Sequence, residues 1–437
     1  MRPALTWPHE GLWRHSDFLR FWSAQTVSEF GSQITLLALP LAAILVLHAT
    51  TFEVAVLSTV DLLPFLLFGL PAGVWVDRLP HRPVLVVADL GCAITLASVP
   101  LAYAFDVLTL AQLYVVGFLT GSLTVFFSLA YHAYLPALLE RDLLMDANAK
   151  LETSRSLAQT GGPAAGGGLV ALISAPAAIL GDALTFLVSG LVILSIKHRE
   201  QVGPTELSGQ KRDLRRELRE GLGYVWRDPI LRANVYSAGL ANFAYGLVWA
   251  ILLVFAVRLL GLHAGVIGLI LALGQAGGIL GALTSRRIAS KFGIGPTMIA
   301  AMALCGPAVL LIAVAPRSLP APLLALGWGL WSFAVPIAGV VGVSTRQALV
   351  PQRLQGRVAG SLRWVIRGIV PIGSLAGGAL AASIGLRPTL GIGAAISFVA
   401  FVPLLLSPYR RLHHLPATDR SSQAGTMETQ PAPMVSP

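Results

Sequence analysis

Three carboxylates stand inside long apolar stretches of this chain, at Glu29, Asp61 and Asp182. A charged group in such surroundings is costly, so it holds a proton, finds a partner or faces water. The chemistry open to it is proton exchange. Glu29 belongs to a polar stripe with Gln25, Ser28, Ser32 and Gln33, whose i, i+3 and i+4 spacing puts them on one helical face. That face reads either as the wall of a water-filled cavity or as a satisfied helix–helix contact. Asp61 reads either as a proton site or as a polar residue near an opening. Asp182 is the remaining mid-span acid of this part, and Asp89, close to a helix start, is expected to pair with Arg78 or Arg82. Later in the chain Asn242, Tyr245 and Trp249 share a helical face that suits the wall of a small-molecule site, or equally a membrane core. Gln275, Trp328 and Trp331 add one polar and two aromatic points.

The elements that must position these residues are set by hydropathy. Of 437 residues 55% are hydrophobic and 12% charged, with a mean hydropathy of +0.73. Apolar runs of bilayer-spanning length recur from Phe21 to Leu406. Their cores are 18–47, 53–76, 83–104, 109–131, 144–173, 176–196, 230–257, 264–284, 294–314, 321–343, 357–383 and 387–407. Helices satisfy their backbone groups internally in hydrocarbon, whereas open strands do not, and the alternating segments of a membrane barrel are absent. The expected fold is therefore an all-α integral membrane protein with twelve transmembrane helices.

The net charge of +10 raises the question of nucleic acid, but its placement answers it. With the N-terminus inside, all of the 31 Lys and Arg except Arg258, Arg317 and Arg387 fall on inner loops or inner helix ends. This is the positive-inside bias. It predicts a multi-pass protein of the bacterial inner membrane with both termini cytoplasmic, and no nucleic-acid partner. Cys92 and Cys305 lie within apolar spans and read as small core residues. No metal-ligand spacing, nucleophile–base pair or phosphate-binding G-x-x-x-x-G-K-[ST] loop is present, so neither metal, cofactor, enzyme nor ATP-driven pump is expected.

A single offset of 208 residues orders the chain. It relates Gly69, Gly73, Asp77 and Arg78 to Gly277, Gly281, Ser285 and Arg286. It also relates Gly31 to Gly239, Gly121 to Gly329, Arg155 to Arg363 and Pro163 to Pro371. A repeated offset of this kind marks an internal duplication. The expected organisation is a cytoplasmic segment at 1–16, a six-helix bundle at 17–196, a linker at 197–228, a second pseudo-symmetric six-helix bundle at 229–407 and a disordered tail at 408–437. In the linker Lys211, Arg212, Arg215, Arg216 and Arg219 interleave with Leu214, Leu218 and Leu222. That pattern predicts a basic amphipathic helix on the inner leaflet, or a charged loop that holds orientation. In the fifth span Gly162, Pro163, Gly166 and Gly167 read as a bending point that also seals a helix interface, or as a plain packing seam.

Twelve spans in two halves, a basic central linker and the turn Gly73-x-x-x-Asp77-Arg78-x-x-x-Arg82 resemble the major facilitator superfamily over nearly the whole chain. Gly162-Pro163-x-x-Gly166-Gly167 resembles the fifth-helix motif of its drug–proton antiporters. Phe21 to Leu47 and Ser344 to Pro371 are similar to the bacterial drug-efflux branch that includes macrolide exporters and the enterobactin exporter. Two positions depart from the family pattern: Pro80 replaces the usual turn glycine, and Leu113 stands where many such antiporters carry Arg. The resemblance implies alternating access about a midplane site. It makes Gly73, Asp77, Arg78 and Arg82 one side of a conformational latch against Arg357 and Arg363, and Gly162 to Gly167 an antiporter hinge. The implied activity is proton-coupled export of amphipathic or cationic organic compounds such as drugs or antibiotics. In that scheme Glu29, Asp61 and Asp182 are the proton-coupling candidates, and Gln25, Gln33, Asn242, Tyr245 and Trp249 line the cavity. The partners are the small-molecule substrate, protons and the lipid bilayer, and the working unit is a monomer. Export of one metabolite, such as a siderophore, is the alternative, and import the third.

Overall fold

The computed structural model describes residues 12–69, 71–76, 78–196 and 214–414. The helices are α1 (Ser16–Leu45), α2 (Thr51–Phe68), α3 (Pro71–Val76), α4 (His81–Ala104), α5 (Leu110–Leu138), α6 (Leu144–Leu172) and α7 (Ala175–Leu194). There follow α8 (Leu214–Arg227), α9 (Pro229–Val254), α10 (Ala264–Phe292), α11 (Ile294–Val314), α12 (Pro320–Leu349), α13 (Gln352–Ile384), α14 (Leu386–Val399) and α15 (Val402–Leu406). No strand occurs among the described residues. Among the described residues, eleven segments are long and apolar enough to cross a bilayer, the last formed by α14 and α15 together. The twelfth is α6, whose 29 residues include the glycine run and a polar first half.

Local chemistry sets the helix ends. Thr50 and Glu53 form a reciprocal capping box at the start of α2. Asp228 caps α9 through the amides of Ile230 and Leu231, with Pro229 opening the helix. The last carbonyls of α7 are covered by arginines from elsewhere: Arg20 reaches Ser195 O at 3.0 Å, and Arg82 reaches Ile193 O and Leu194 O. Cations at a helix C-terminus also meet the negative end of its dipole.

Several expectations change. The second span, read as continuous over 53–76, ends at Phe68 and restarts at Pro71, because proline lacks the N–H and clashes with the preceding turn. The fourth and eighth spans run on to Leu138 and Phe292, since the helices continue past the apolar core. Residues 408–414 do not belong to a disordered tail. Tyr409 is fully buried, its hydroxyl lies 3.0 Å from Thr345 Oγ1, and Gly295 N donates to Leu412 O. The rest of that tail, and Lys211 and Arg212 of the linker, lie outside the described residues. The described end of α8 is docked: Val225 is buried with Val350, Val358 and Leu362, Tyr224 donates to Leu349 O, and Glu220 pairs with Arg357. Asp89 does not pair with Arg82. It faces α7 two turns into α4 and accepts a 2.5 Å hydrogen bond from Ser189.

Helices related by the 208-residue offset occupy equivalent places. α6 packs on α1 as α13 packs on α9, and α2 packs on α5 as α10 packs on α12. The apolar core is distributed unevenly across the thickness. At the face opposite the start of α1, one cluster joins the two halves, from Leu37, Leu41 and Val54 to Leu247, Phe255 and Trp328. Toward the face where α1 begins, the core splits into a first-half cluster around Phe18, Phe21 and Tyr134 and separate second-half clusters around Met298, Tyr409 and Val358. The halves are therefore joined at the far face and parted at the N-terminal face.

Candidate functional site

Two crossings join the halves, one at the far face and one that runs from there toward the N-terminal face. In the first, α6 meets α10 through small residues. A Cβ at Gly167 would overlap Ala264 O and Gly268, and one at Gly268 would overlap Pro163 O. Gly162 and Gly166 receive Gln33 and Ile34 of α1 on the other side of α6. The sequence GPAAGG thus lets one helix approach two neighbours, and α6 continues unbroken through Pro163. In the second crossing α2 lies along α13. Gly378 receives Ala55 and Phe52, Thr59 Oγ1 lies 3.4 Å from Pro371 O, and Trp364 Nε1 donates to Leu66 O at 3.0 Å. Arg258 adds a tie between the halves through Ala49 O.

The halves differ in the side chains they bring beside these crossings, and the rings of the second half belong to the cluster that joins the halves. From α9 and α12 come four rings in mutual contact: Tyr245–Trp331 at 5.2 Å, Tyr245–Trp249 at 6.1 Å, Trp249–Trp328 at 5.5 Å and Trp328–Trp331 at 5.0 Å. Pairs of this kind contribute about 0.5–1.5 kcal/mol each beyond their burial. Gln275 Oε1 accepts from Ser332 Oγ at 3.3 Å beside them. Of the residues expected on this wall, Tyr245 and Trp249 are in the cluster, while Asn242 is one turn away and donates to Ala238 O of its own helix. Trp328 and Trp331 complete the cluster. Their three-residue spacing on the tenth span was the available signal, but their pairing with the seventh span required the tertiary fold.

The first half contributes the acids. Glu29 is half-buried on α1, and the charges of Arg155 and Glu152 reach it from α6. Gln25, one turn earlier, is buried. Gln33 packs on Gly162 and so stands at the α1–α6 contact. Asp61 is half-buried where α2 crosses α5, with its backbone against Gly117 and Gly121. Asp182 is buried at the contact between α1 and α7, where Thr185 donates to Oδ1 at 3.1 Å. Glu29 thus faces Arg155 and Glu152 of its own half, the aromatic rings pack in the cluster that joins the halves, and Asp182 lies inside the first bundle. Below the glycine crossing, α6 and α10 part around a cleft of about 390 Å³ lined by Ala149, Glu152, Ser156, Thr160 and Ile279.

At the N-terminal face Asp77 lies outside the described residues. Arg78 is exposed, Arg82 caps α7 and Arg357 pairs with Glu220. A Cβ at Gly73 would meet nothing within 4 Å among the described residues. Leu113, at the position of the family's arginine, is fully buried core.

The family model described as Major Facilitator Superfamily matches residues 21–371. The chain belongs to this superfamily. Among curated relatives it is 28% identical over 391 residues to the multidrug efflux pump Tap of Mycolicibacterium fortuitum, covering 87% of this chain and 93% of that one. It is 26% identical over 415 residues to the multidrug efflux pump Tap of Mycobacterium tuberculosis, covering 93% and 97%. Among solved structures, the nucleoside transporter NupG superposes with a TM-score of 0.68 over 89% of this chain and 98% of that chain at 15% identity, a likeness of fold. This superfamily member is a multi-pass membrane protein, similar over most of its length to proteins described as multidrug efflux pumps.

Proposed function

We propose that the protein exports amphipathic organic compounds, drugs among them, across the bacterial inner membrane in exchange for protons, by alternating access with both termini in the cytoplasm. The observation that carries this reading is the pairing of walls. We read the four-ring cluster of one half and the half-buried carboxylate of the other as the two walls of a space closed at the far face, where one core cluster joins the halves, and parted at the N-terminal face, where the clusters are separate. Such a space gives a flat or ring-bearing molecule a desolvated surface beside a group able to carry a proton. The multidrug activity named for the Tap relatives supports the substrate class. The open space beside Gly73 supports a state open to the cytoplasm, in which the resemblance has the contact of Asp77 and Arg78 with the eleventh span broken.

Glu29 carries the proton in this scheme, with Asp61 second. Asp182, held within the first bundle by Thr185, acts on the position of α7 and α1 instead. The test is uptake into inverted membrane vesicles under an imposed pH gradient, with a fluorescent amphipathic dye and a macrolide as probes. Accumulation abolished by a protonophore is the expected result. Accumulation of the probes that persists without a gradient contradicts antiport. No accumulation of either probe favours the narrower reading of a single-metabolite exporter.

A further inference from the structure

The parted region carries more positive charge than its acids balance. Arg367 is the sixteenth residue of α13 (Gln352–Ile384), near the middle of that helix. Its guanidinium lies over the Phe65 ring at 5.5 Å from the centroid. The neighbouring turn is fixed by Trp364 donating to Leu66 O and by Gly368 packing on Leu66. This arginine is therefore held at the α2–α13 crossing by contacts on both sides of it in sequence. Its charge reaches Tyr245 of the aromatic cluster. Arg155 of α6 and Arg363 of α13 are within electrostatic reach of it, and Arg363 reaches Arg346 on α12. Arg155 belongs to the first half and the other three to the second, so the group spans the space between the halves. Arg155 and Arg363 are also the pair related by the 208-residue offset.

Carboxylates answer only one side of this group. Glu29 and Glu152 lie near Arg155. Among the described residues, Arg346, Arg363 and Arg367 form no ion pair, whereas Arg357, one turn before Arg363, pairs with Glu220 outside the cavity. Arg363 and Arg367 are exposed and Arg346 half-buried, so their mutual repulsion is screened by water, but they still leave a positive local potential. They are expected to lower the affinity of a cationic guest and raise that of an anionic one. A guanidinium offers a planar fork of donors that matches a carboxylate, sulfonate or phosphate oxygen pair.

We propose that this cavity recognises the carried compound by an anionic group, with Arg367 as its principal contact beside the Tyr245–Trp331 rings and with Arg363 and Arg155 attracting it from the N-terminal face. The substrate class is an amphipath with an aromatic or polycyclic body and an acidic group, zwitterions included. The inference rests on reading the cavity as the site of the carried compound, and it narrows the cargo away from simple lipophilic cations.

The test uses the purified full-length chain in nanodiscs of phosphatidylcholine and three probes with one fluorophore: dansylglycine, dansylglycinamide and a dansylamidoethyl-trimethylammonium. Energy transfer from the protein's tryptophans reports binding. The acid is expected to bind about tenfold more tightly than the amide, and the cation more weakly than either. The advantage of the acid should shrink as salt is raised. Arg367→Gln should close the gap between acid and amide, and Arg367→Lys should keep part of it, while the elution profile and thermal midpoint of each variant report folding. Equal binding of the three probes, or an acid preference unchanged in Arg367→Gln, overturns the anion site and leaves the export reading standing. An acid preference that disappears in Arg367→Gln, with no flux of any probe into proteoliposomes, supports the anion site and removes the export reading.

Discussion

On the first half's side of the central space stand Glu29 and, deeper in its bundle, Asp61 and Asp182; on the second half's side stand Tyr245, Trp249, Trp328 and Trp331. The backbone positions are related by the same 208 residues that relate the halves as a whole, yet the side chains have no counterparts. Ser237, Leu269 and Leu390 occupy the places of the three acids. Leu37, Leu41, Thr120 and Leu123 occupy those of the four rings. Leu37 and Leu41 are fully buried in the cluster that joins the halves. Duplication has thus preserved what packs and discarded what reacts. The close helix contacts within each bundle, which require only backbone proximity, recur at Gly121 against α2 and at Gly329 against Gly277. The mid-span acids and the ring cluster occur in one half each, whereas the arginine pair Arg155 and Arg363 is kept in both.

Substitutions can break this division, beginning with the feature on which both walls depend. Gly268→Leu places a side chain where Pro163 O and Gly167 now lie. Overpacking of this kind costs about 1–3 kcal/mol or more, and here it also separates the halves at the far face. Vesicle flux is expected to fall to background, with protein still present in the membrane by immunoblot. Glu29→Gln removes the proposed proton carrier while keeping shape. The gradient-driven component of uptake should be lost, a fall of about ten- to a hundredfold if the proton step resembles other positioned acids, while dye binding persists. Trp331→Ala opens the ring cluster. Loss of one buried aromatic partner should weaken probe binding by about tenfold and leave the pH dependence of flux as it was. Tyr409→Phe touches neither wall. Removing the hydroxyl that meets Thr345 should lower stability by about 0.5–1.5 kcal/mol, read as a small drop in thermal midpoint at unchanged flux.

How far the sequence shows these features depends on the range of the interaction behind them. The twelve spans, the duplication and the closely packed fifth span are local or periodic signals, set by hydropathy and by the absence of Cβ atoms at Gly162, Gly166 and Gly167. The break before Pro71 was also visible as a Gly-x-Pro step, although hydropathy alone ran through it. The partners of side chains were not visible. Asp89 finds Ser189 and not Arg82 because helix rotation, which one sequence does not fix, turns it toward α7. Arg82 instead covers the carbonyl end of α7. The burial of Tyr409 likewise depends on a groove made by α11 and α12, 64 residues away at Thr345. At the cavity, Tyr245 and Trp249 could be placed on one face by spacing, but their joining with Trp328 and Trp331 needed two helices brought together. Arg367 read as one of four arginines at the start of a span, and its place near the rings emerged only from the crossing with α2.

The most direct test of the divided site is flux measured against both probe concentration and imposed pH gradient, in wild type, Glu29→Gln, Trp331→Ala and the double variant. If the first half handles the proton and the second half the guest, Glu29→Gln flattens the gradient dependence and Trp331→Ala shifts the concentration dependence, each leaving the other curve in place. If either single variant changes both curves in the same proportion, the two walls do not have separate roles, and the account of the site is wrong.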